Sequence, residues 1–261
     1  MRVGVFDSGL GGLTVLKDIC EVVKKATFFY IADTQYAPYG DKTHEQILQR
    51  CITIADYLIN EHQIEVLIVA CNTATSAAIN ELRIKYKSLI VIGTEPGIKP
   101  AILKTKSLNI GVLATKATLK GQKYQLLVDN LSKTKEVVLH EQACQGLVEQ
   151  IEKGHIQHKK TEKMLQNWLN PMKNKEVDTI VLGCTHYPLV SHLINSIMEN
   201  KITLIETGSA IAKRLVYLSK DKKYDKVGEL EIFVCHTGII NKTIINKIFK
   251  NKKIDIRKCE I

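Results

Sequence analysis

No apolar run in the 261 residues approaches the roughly 18 that a membrane-spanning helix needs. The chain also runs from Met1 straight into the apolar segment Val3–Phe6, with no basic leader, apolar h-region or cleavage site. A soluble cytoplasmic protein is the expectation. The seven cysteines are odd in number, scattered, and never spaced as a C-x-x-C pair, which argues against a zinc ribbon or a redox motif. Free thiols are expected rather than disulfides, with Cys20, Cys51 and Cys235 packing as small apolar side chains. Also missing is any basic motif interleaved with aromatic residues. The formal charge is +10, but the lysines are spread widely and then gather between Lys220 and Lys258. That pattern reads as a solvated surface and not as a nucleic-acid face, although it would help attract an acidic small molecule.

What is present is an alternation of strand and helix along a chain long enough to bury a proper core without staples. Val3–Phe6 is predicted as a buried strand, followed by the glycine turn Ser8-Gly9-Leu10-Gly11-Gly12 and a helix with Leu13, Leu16, Cys20 and Val23 on one face. Further strands are predicted over Thr27–Ala32, Val66–Ala70, Leu89–Ile92, Ile110–Leu113, Val177–Leu182, Ile202–Ile205 and Glu231–Val234. Thr43 with Gln46 has the form of a capping box that opens a helix through Ile47, Cys51, Ile54 and Leu58, and residues 73–84 also read as helical. Continuous apolar strands separated by helices predict an α/β fold with mostly parallel sheets, covered on both faces.

The chain also echoes itself. Val3-Gly4-Val5-Phe6 reappears as Ile110-Gly111-Val112-Leu113, and the strand ending in Ala70-Cys71-Asn72-Thr73 reappears as one ending in Gly183-Cys184-Thr185-His186. The offsets, 107 and 113 residues, suit a duplication with small insertions. Two pseudo-symmetric, doubly wound lobes are therefore expected, 1–96 with 207–261 and 97–206, with the site in the cleft between them. Ligands of open parallel sheets bind beyond the carboxyl ends of the strands, so Cys71 and Cys184 should stand on opposite walls.

Such a pair suits inversion of a stereocentre, which removes a proton from one face of a carbon and delivers one to the other. A free thiol has a pKa of roughly 8.5, and a helix N-terminus or a cation can lower it. Cys71 precedes a predicted helix, and Cys184 precedes one opened by Pro188. Asp7, at the end of the first strand, can serve Cys71, and His186 can serve Cys184. Taken alone, Asp7 reads equally as a cap or turn residue, and His186 as a hydrogen-bonded loop histidine. The glycine turn lacks the lysine of a P-loop and the spacing of a dinucleotide motif, but its amides could bind a carboxylate. The Pro38-Tyr39-Gly40 turn either bends the chain or presents donors to a ligand. Asp7, Cys71, Cys184 and His186 could together ligate zinc, but no dense Cys/His spacing supports a metal site, and none is expected.

At these residues the sequence resembles the glutamate racemases of the aspartate/glutamate racemase superfamily. Five ordered motifs carry the resemblance: Phe6-Asp7-Ser8-Gly9-Leu10-Gly11-Gly12, Pro38-Tyr39-Gly40, Ala70-Cys71-Asn72-Thr73-Ala74, Ala114-Thr115-Lys116-Ala117-Thr118 and Gly183-Cys184-Thr185-His186-Tyr187-Pro188. The resemblance implies interconversion of L- and D-glutamate for peptidoglycan without any cofactor, by a chain that is usually a homodimer. It further implies that Cys71 acts on the D-isomer, aided by Asp7, and Cys184 on the L-isomer, aided by His186. Ser8, Tyr39, Gly40, Asn72, Thr73, Thr115, Thr118 and Thr185 are the implied contacts to the substrate's amino and carboxylate groups. The segment 143–149 departs from the family pattern, and there Glu149 is carried over as the acid supporting the cleft. Two alternatives stay open: another amino-acid racemase of the superfamily, and a binding module that keeps the fold without turnover.

Overall fold

Apolar side chains that alternate along a buried strand face opposite ways, so each central strand of this chain feeds two cores. Val3, Val5, Val66 and Ile68 belong to one cluster, and Phe6, Leu67 and Val69 to another on the far face of the same sheet. In the computed structural model, which describes residues 1–132, 136–220, 229–250 and 252–261, the elements run β1 (Arg2–Asp7), α1 (Gly12–Val22), β2 (Thr27–Ala32), α2 (His44–His62), β3 (Val66–Val69), α3 (Asn72–Lys85) and β4 (Ile90–Gly93). They continue through α4 (Ile98–Lys104), β5 (Asn109–Ala114), α5 (Lys116–Lys120), α6 (Gln122–Ser132), β6 (Val138–Ala143), α7 (Leu147–Glu152), α8 (Lys159–Lys173), β7 (Thr179–Gly183), α9 (Ser191–Ile197) and β8 (Thr203–Ile205). Last come α10 (Gly208–Ser219), β9 (Glu231–His236), α11 (Lys242–Ile248) and β10 (Asp255–Lys258).

Two sheets result, ordered β10-β9-β2-β1-β3-β4 and β6-β5-β7-β8. All their pairings are parallel. The fold is the expected two-lobed, doubly wound α/β arrangement, and the order β2-β1-β3-β4 recurs as β6-β5-β7-β8. The register recurs as well. Gly4 lies opposite Leu67, and Gly111 opposite Ile180, which are the residues that the two sequence echoes equate. The chain crosses to the second sheet after β4, with α4 packing in the core of that sheet, and returns by α10, which packs on α1.

The capping box at Thr43 is present in full: Gln46 donates its amide to the Thr43 hydroxyl, and its side chain accepts from the Thr43 amide. Two strands escaped the sequence reading, β6 and β10. Both are sheet edges, both are largely polar, and each leaves side chains exposed, which is how proteins discourage edge-to-edge pairing. The expectation of free thiols also needs correction. Cys20, Cys51, Cys71, Cys144 and Cys184 are free and buried, but Cys235 and Cys259 are joined, with Cα atoms 5.7 Å apart. In the parallel pairing of β9 with β10 Cys235 lies opposite Arg257, and Cys259 follows two residues further on, just past the end of β10, a juxtaposition that sequence spacing does not reveal. Part of the lysine-rich stretch, 221–228 and 251, lies outside the described residues. Among the described residues no helix is long and apolar enough to cross a membrane.

Candidate active site

The carboxyl ends of β1, β3, β5 and β7 converge on a cavity of about 420 Å³ between the two sheets. Cys71, which follows β3, and Cys184, which follows β7, both line it. So do Ser8, Tyr39, Gly40, Asn72, Thr73, Thr115, Glu149, Thr185 and His186. Of the residues singled out from sequence, only Asp7 and Thr118 sit behind the wall. Both are buried.

Cys71 is the N-cap of α3, and its sulfur accepts the Ala74 amide at 3.4 Å while lying 3.9 Å from the Ser8 hydroxyl. A helix N-terminus favours a thiolate, but here burial and the neighbouring Asp7 carboxylate outweigh it, and the thiol is pushed well above its ordinary value. Cys71 is thus built to hold its proton. Asp7 accepts the Gly12 amide at 2.6 Å and the Thr185 hydroxyl at 3.3 Å through Oδ2, so it does cap α1. Its Oδ1 is buried with no hydrogen-bond partner among the described residues. Burial raises its pKa, against the opposing influence of His186, the Gly12 amide and the Cys71 thiol.

The surroundings of Cys184 differ. Pro188 opens a 3-10 turn, Tyr187–Val190, and not the expected α-helix, so no helix amide reaches this sulfur. Its neighbour instead is His186, whose Nδ1 lies 3.7 Å from Sγ and whose Nε2 lies 2.6 Å from Glu152 Oε1. Burial opposes a charged imidazole, yet contact with Cys184 and Glu152 prevails and holds His186 well above its usual 6.5. Glu152 answers in the other direction: burial would raise it, but His186 and the Leu10 amide, 2.6 Å away, keep it below the ordinary carboxylate value. The two shifts agree on an imidazolium–carboxylate pair. Because Leu10 belongs to the glycine turn, this pair also joins the two lobes. Gly11 makes room for it, since a Cβ there would stand 2.4 Å from His186 Nδ1.

Glu152 is the functional residue the sequence reading missed. It stands one helical turn beyond Glu149 on α7, so the motif offered two acids, and only their facing could separate them. Glu149 lines the cavity, and Glu152 holds the histidine. Around the opening, the Thr73 hydroxyl meets that of Thr115 at 3.0 Å and that of Thr118 at 3.4 Å, bringing α3 of one lobe against α5 of the other. Tyr39 lines the cavity, but its hydroxyl is spent on Asp33. Asn72 has both side-chain amide atoms buried without a partner among the described residues, a cost that a polar ligand would relieve. Among the described residues no group of three or more His, Cys, Asp or Glu is gathered so as to hold a metal.

A two-lobed α/β fold with a cavity that receives a thiol from each lobe is the architecture of a racemase class: the Asp/Glu/hydantoin racemase family model matches residues 6–215. A glutamate racemase of Aliarcobacter butzleri is 64% identical over 261 residues, covering 100% of both chains, and one of Sulfurovum sp. is 59% identical over 248 residues, covering 95% of this chain and 94% of its own. The crystal structure of a glutamate racemase isoform from Bacillus anthracis superposes with a TM-score of 0.86 at 28% identity, covering 100% of this chain and 97% of the other. The chain belongs to the Asp/Glu/hydantoin racemase family, in its glutamate racemase branch.

Proposed function

We propose that this protein interconverts L- and D-glutamate by a two-base mechanism in which Cys71 and Cys184 act on opposite faces of the α-carbon, supplying D-glutamate for peptidoglycan. The observation that carries the reading is the pair of thiols at equivalent strand ends in one cavity, one held protonated by its surroundings and the other beside an imidazolium. A racemase needs that inequality at the start of each turnover, since one base must be empty and the other loaded.

With L-glutamate bound, the Cys184 thiolate removes the α-proton. The imidazolium of His186, fixed by Glu152, stabilises the thiolate before transfer. Cys71 then delivers its proton from the other side; in the reverse direction Asp7 takes the proton from the Cys71 thiol, whose thiolate removes the α-proton of D-glutamate while Cys184 supplies the new one. Thr73, Thr115, Thr118, Thr185, Ser8, Asn72, Gly40 and Tyr39 orient the substrate, and hydrogen bonds to its carboxylate carry the charge that develops at the α-carbon. Closure of one lobe, 1–96 with 207–261, on the other, 97–206, would exclude water and strengthen those bonds.

The test is solvent-deuterium incorporation at the α-carbon, followed by NMR together with circular dichroism, for both enantiomers of glutamate and of aspartate. Incorporation and loss of optical rotation from both glutamate enantiomers is the expected result. Turnover of aspartate alone would move the chain to another activity of the family, and no turnover of any of the four would leave a binding module.

A further inference from the structure

Asp33 follows β2 as Cys144 follows β6, so the two occupy equivalent places in their lobes, but Asp33 does not line the cavity and the proposed chemistry does not use it. It is fully buried, and three side chains donate to it. Arg50 grips it in a fork, Nη2 to Oδ1 at 2.6 Å and Nε to Oδ2 at 2.9 Å. The Tyr39 hydroxyl reaches Oδ2 at 2.6 Å, and the Thr237 hydroxyl reaches Oδ1 at 3.0 Å. Arg50 is itself fixed, donating through Nη1 to the Ile261 carbonyl at 2.7 Å and lying 4.2 Å from the centre of the Tyr36 ring. A buried ion pair of this kind adds little stability over an apolar packing of the same volume, and its better-attested product is geometry. Only one of its members, Tyr39, reaches the cavity.

Thr237 and Ile261 come from beyond residue 215, where the family match ends, and follow β9 and β10, the two strands by which the first sheet exceeds the second. We infer that Asp33 is a positioning residue for substrate binding: clamped by Arg50 and by Thr237 of the added strand pair, it fixes Tyr39 and the turn Tyr39–Asp41 against which the ligand rests. The C-terminal addition to the first lobe thereby sets substrate affinity without touching substrate. This rests on the reading of the cavity as a glutamate site.

Thr237→Val, an isosteric change outside the cavity, tests it in the full-length chain by steady-state kinetics with each glutamate enantiomer. Loss of one hydrogen bond to a charged partner should raise KM by about tenfold with kcat held within about twofold. Tyr39→Phe should raise KM at least as much. The double variant should fall short of the product of the two effects, because both hydroxyls act through the same carboxylate. A merely structural role would lower the melting temperature and the active fraction, and so kcat, while KM stayed put, and that result overturns the inference. So does an unchanged KM in both single variants of an active enzyme, which would leave the glutamate reading intact. A wild type inert toward both enantiomers would overturn the two together.

Discussion

Cys71 and Cys184 end strands with the same place in their sheets, β3 beside β1 and β7 beside β5, yet the lobes have armed them differently. Behind Cys71 an α-helix starts at once, and a carboxylate, Asp7, stands behind the wall. Behind Cys184 the chain makes a 3-10 turn and puts an imidazole at the position that corresponds to Thr73. One thiol is therefore held protonated by burial and a neighbouring carboxylate, and the other lies beside an imidazole that its own contacts keep charged. The backbone symmetry places the two thiols; the departures from symmetry give each its own surroundings, and on the proposed mechanism they decide which starts with the proton. Those departures lie in the few residues after each cysteine and in the acid each lobe offers.

Removing either thiol is the most severe way to break the comparison. Cys71→Ala and Cys184→Ala should each lower racemisation by about a thousandfold or more, within the range for loss of a general acid or base. Each should retain α-proton exchange with only one enantiomer, L-glutamate for Cys71→Ala and D-glutamate for Cys184→Ala, as NMR in deuterium oxide will show. Survival of racemisation in either variant would refute the two-base assignment.

A milder perturbation attacks the inequality itself. Glu152→Gln removes the charge that holds His186 as an imidazolium, and kcat/KM should drop by about ten- to a hundredfold. Enantiomers are equal in free energy, so that loss must be the same in both directions. The asymmetry will show instead as a primary isotope effect that grows more with α-deuterated L-glutamate than with the D-isomer. The alkaline limb of the pH profile should move to lower pH, because the imidazolium loses its counter-charge. Stability carries the same signature. The raised pKa of His186 contributes stability that is complete below about 6.5 and is lost as the pH rises through its folded value. The depressed pKa of Glu152 contributes above 4.5 and fades as the pH falls through its lower folded value. The stability deficit of the variant, read from urea unfolding, should therefore be greatest between those limits. A pH-independent deficit would remove the ion pair from the explanation.

The sequence made the backbone symmetry legible because buried parallel strands advertise themselves. Val66–Val69 and Thr179–Gly183 are continuous apolar runs, and each delivers its cysteine to the same end of a sheet. Placement at strand ends singled out Asp7, Cys71, Cys184 and His186, while the threonines, Ser8, Tyr39, Gly40 and Asn72 of the cavity came only from the family resemblance of the motifs that hold them. The sequence could not show that Tyr39 spends its hydroxyl on Asp33, or that Glu152 and not Glu149 holds His186, since both depend on how a side chain faces across a distance of tertiary structure. Nor could it show the joining of Cys235 to Cys259, because edge strand β10 carries too little apolar patterning to be recognised.

The subtlest test concerns the two glycines that first betrayed the repeat. Gly4 and Gly111 sit mid-strand in β1 and β5, where glycine costs stability unless something must come close. In both lobes the same element comes close, the residue leading into the neighbouring strand: a Cβ on Gly4 would lie 2.8 Å from Ile64 Cδ1, and one on Gly111 would lie 3.3 Å from Val177 Cγ1 and 2.9 Å from Met172 Sδ. Ile64 and Val177 are themselves 113 residues apart, so the crowding as well as the backbone has been duplicated. Alanine at either position overfills its core and should cost about 1–3 kcal/mol in urea unfolding. A second neighbour presses on each, Leu58 Cδ1 at 3.0 Å on Gly4 and Ile180 Cγ1 at 3.1 Å on Gly111, but the flexible thioether of Met172 can turn away, so Gly4→Ala should cost slightly the more. Equal tolerance of both substitutions would mean that the glycines are relics of the duplication, not requirements of the packing.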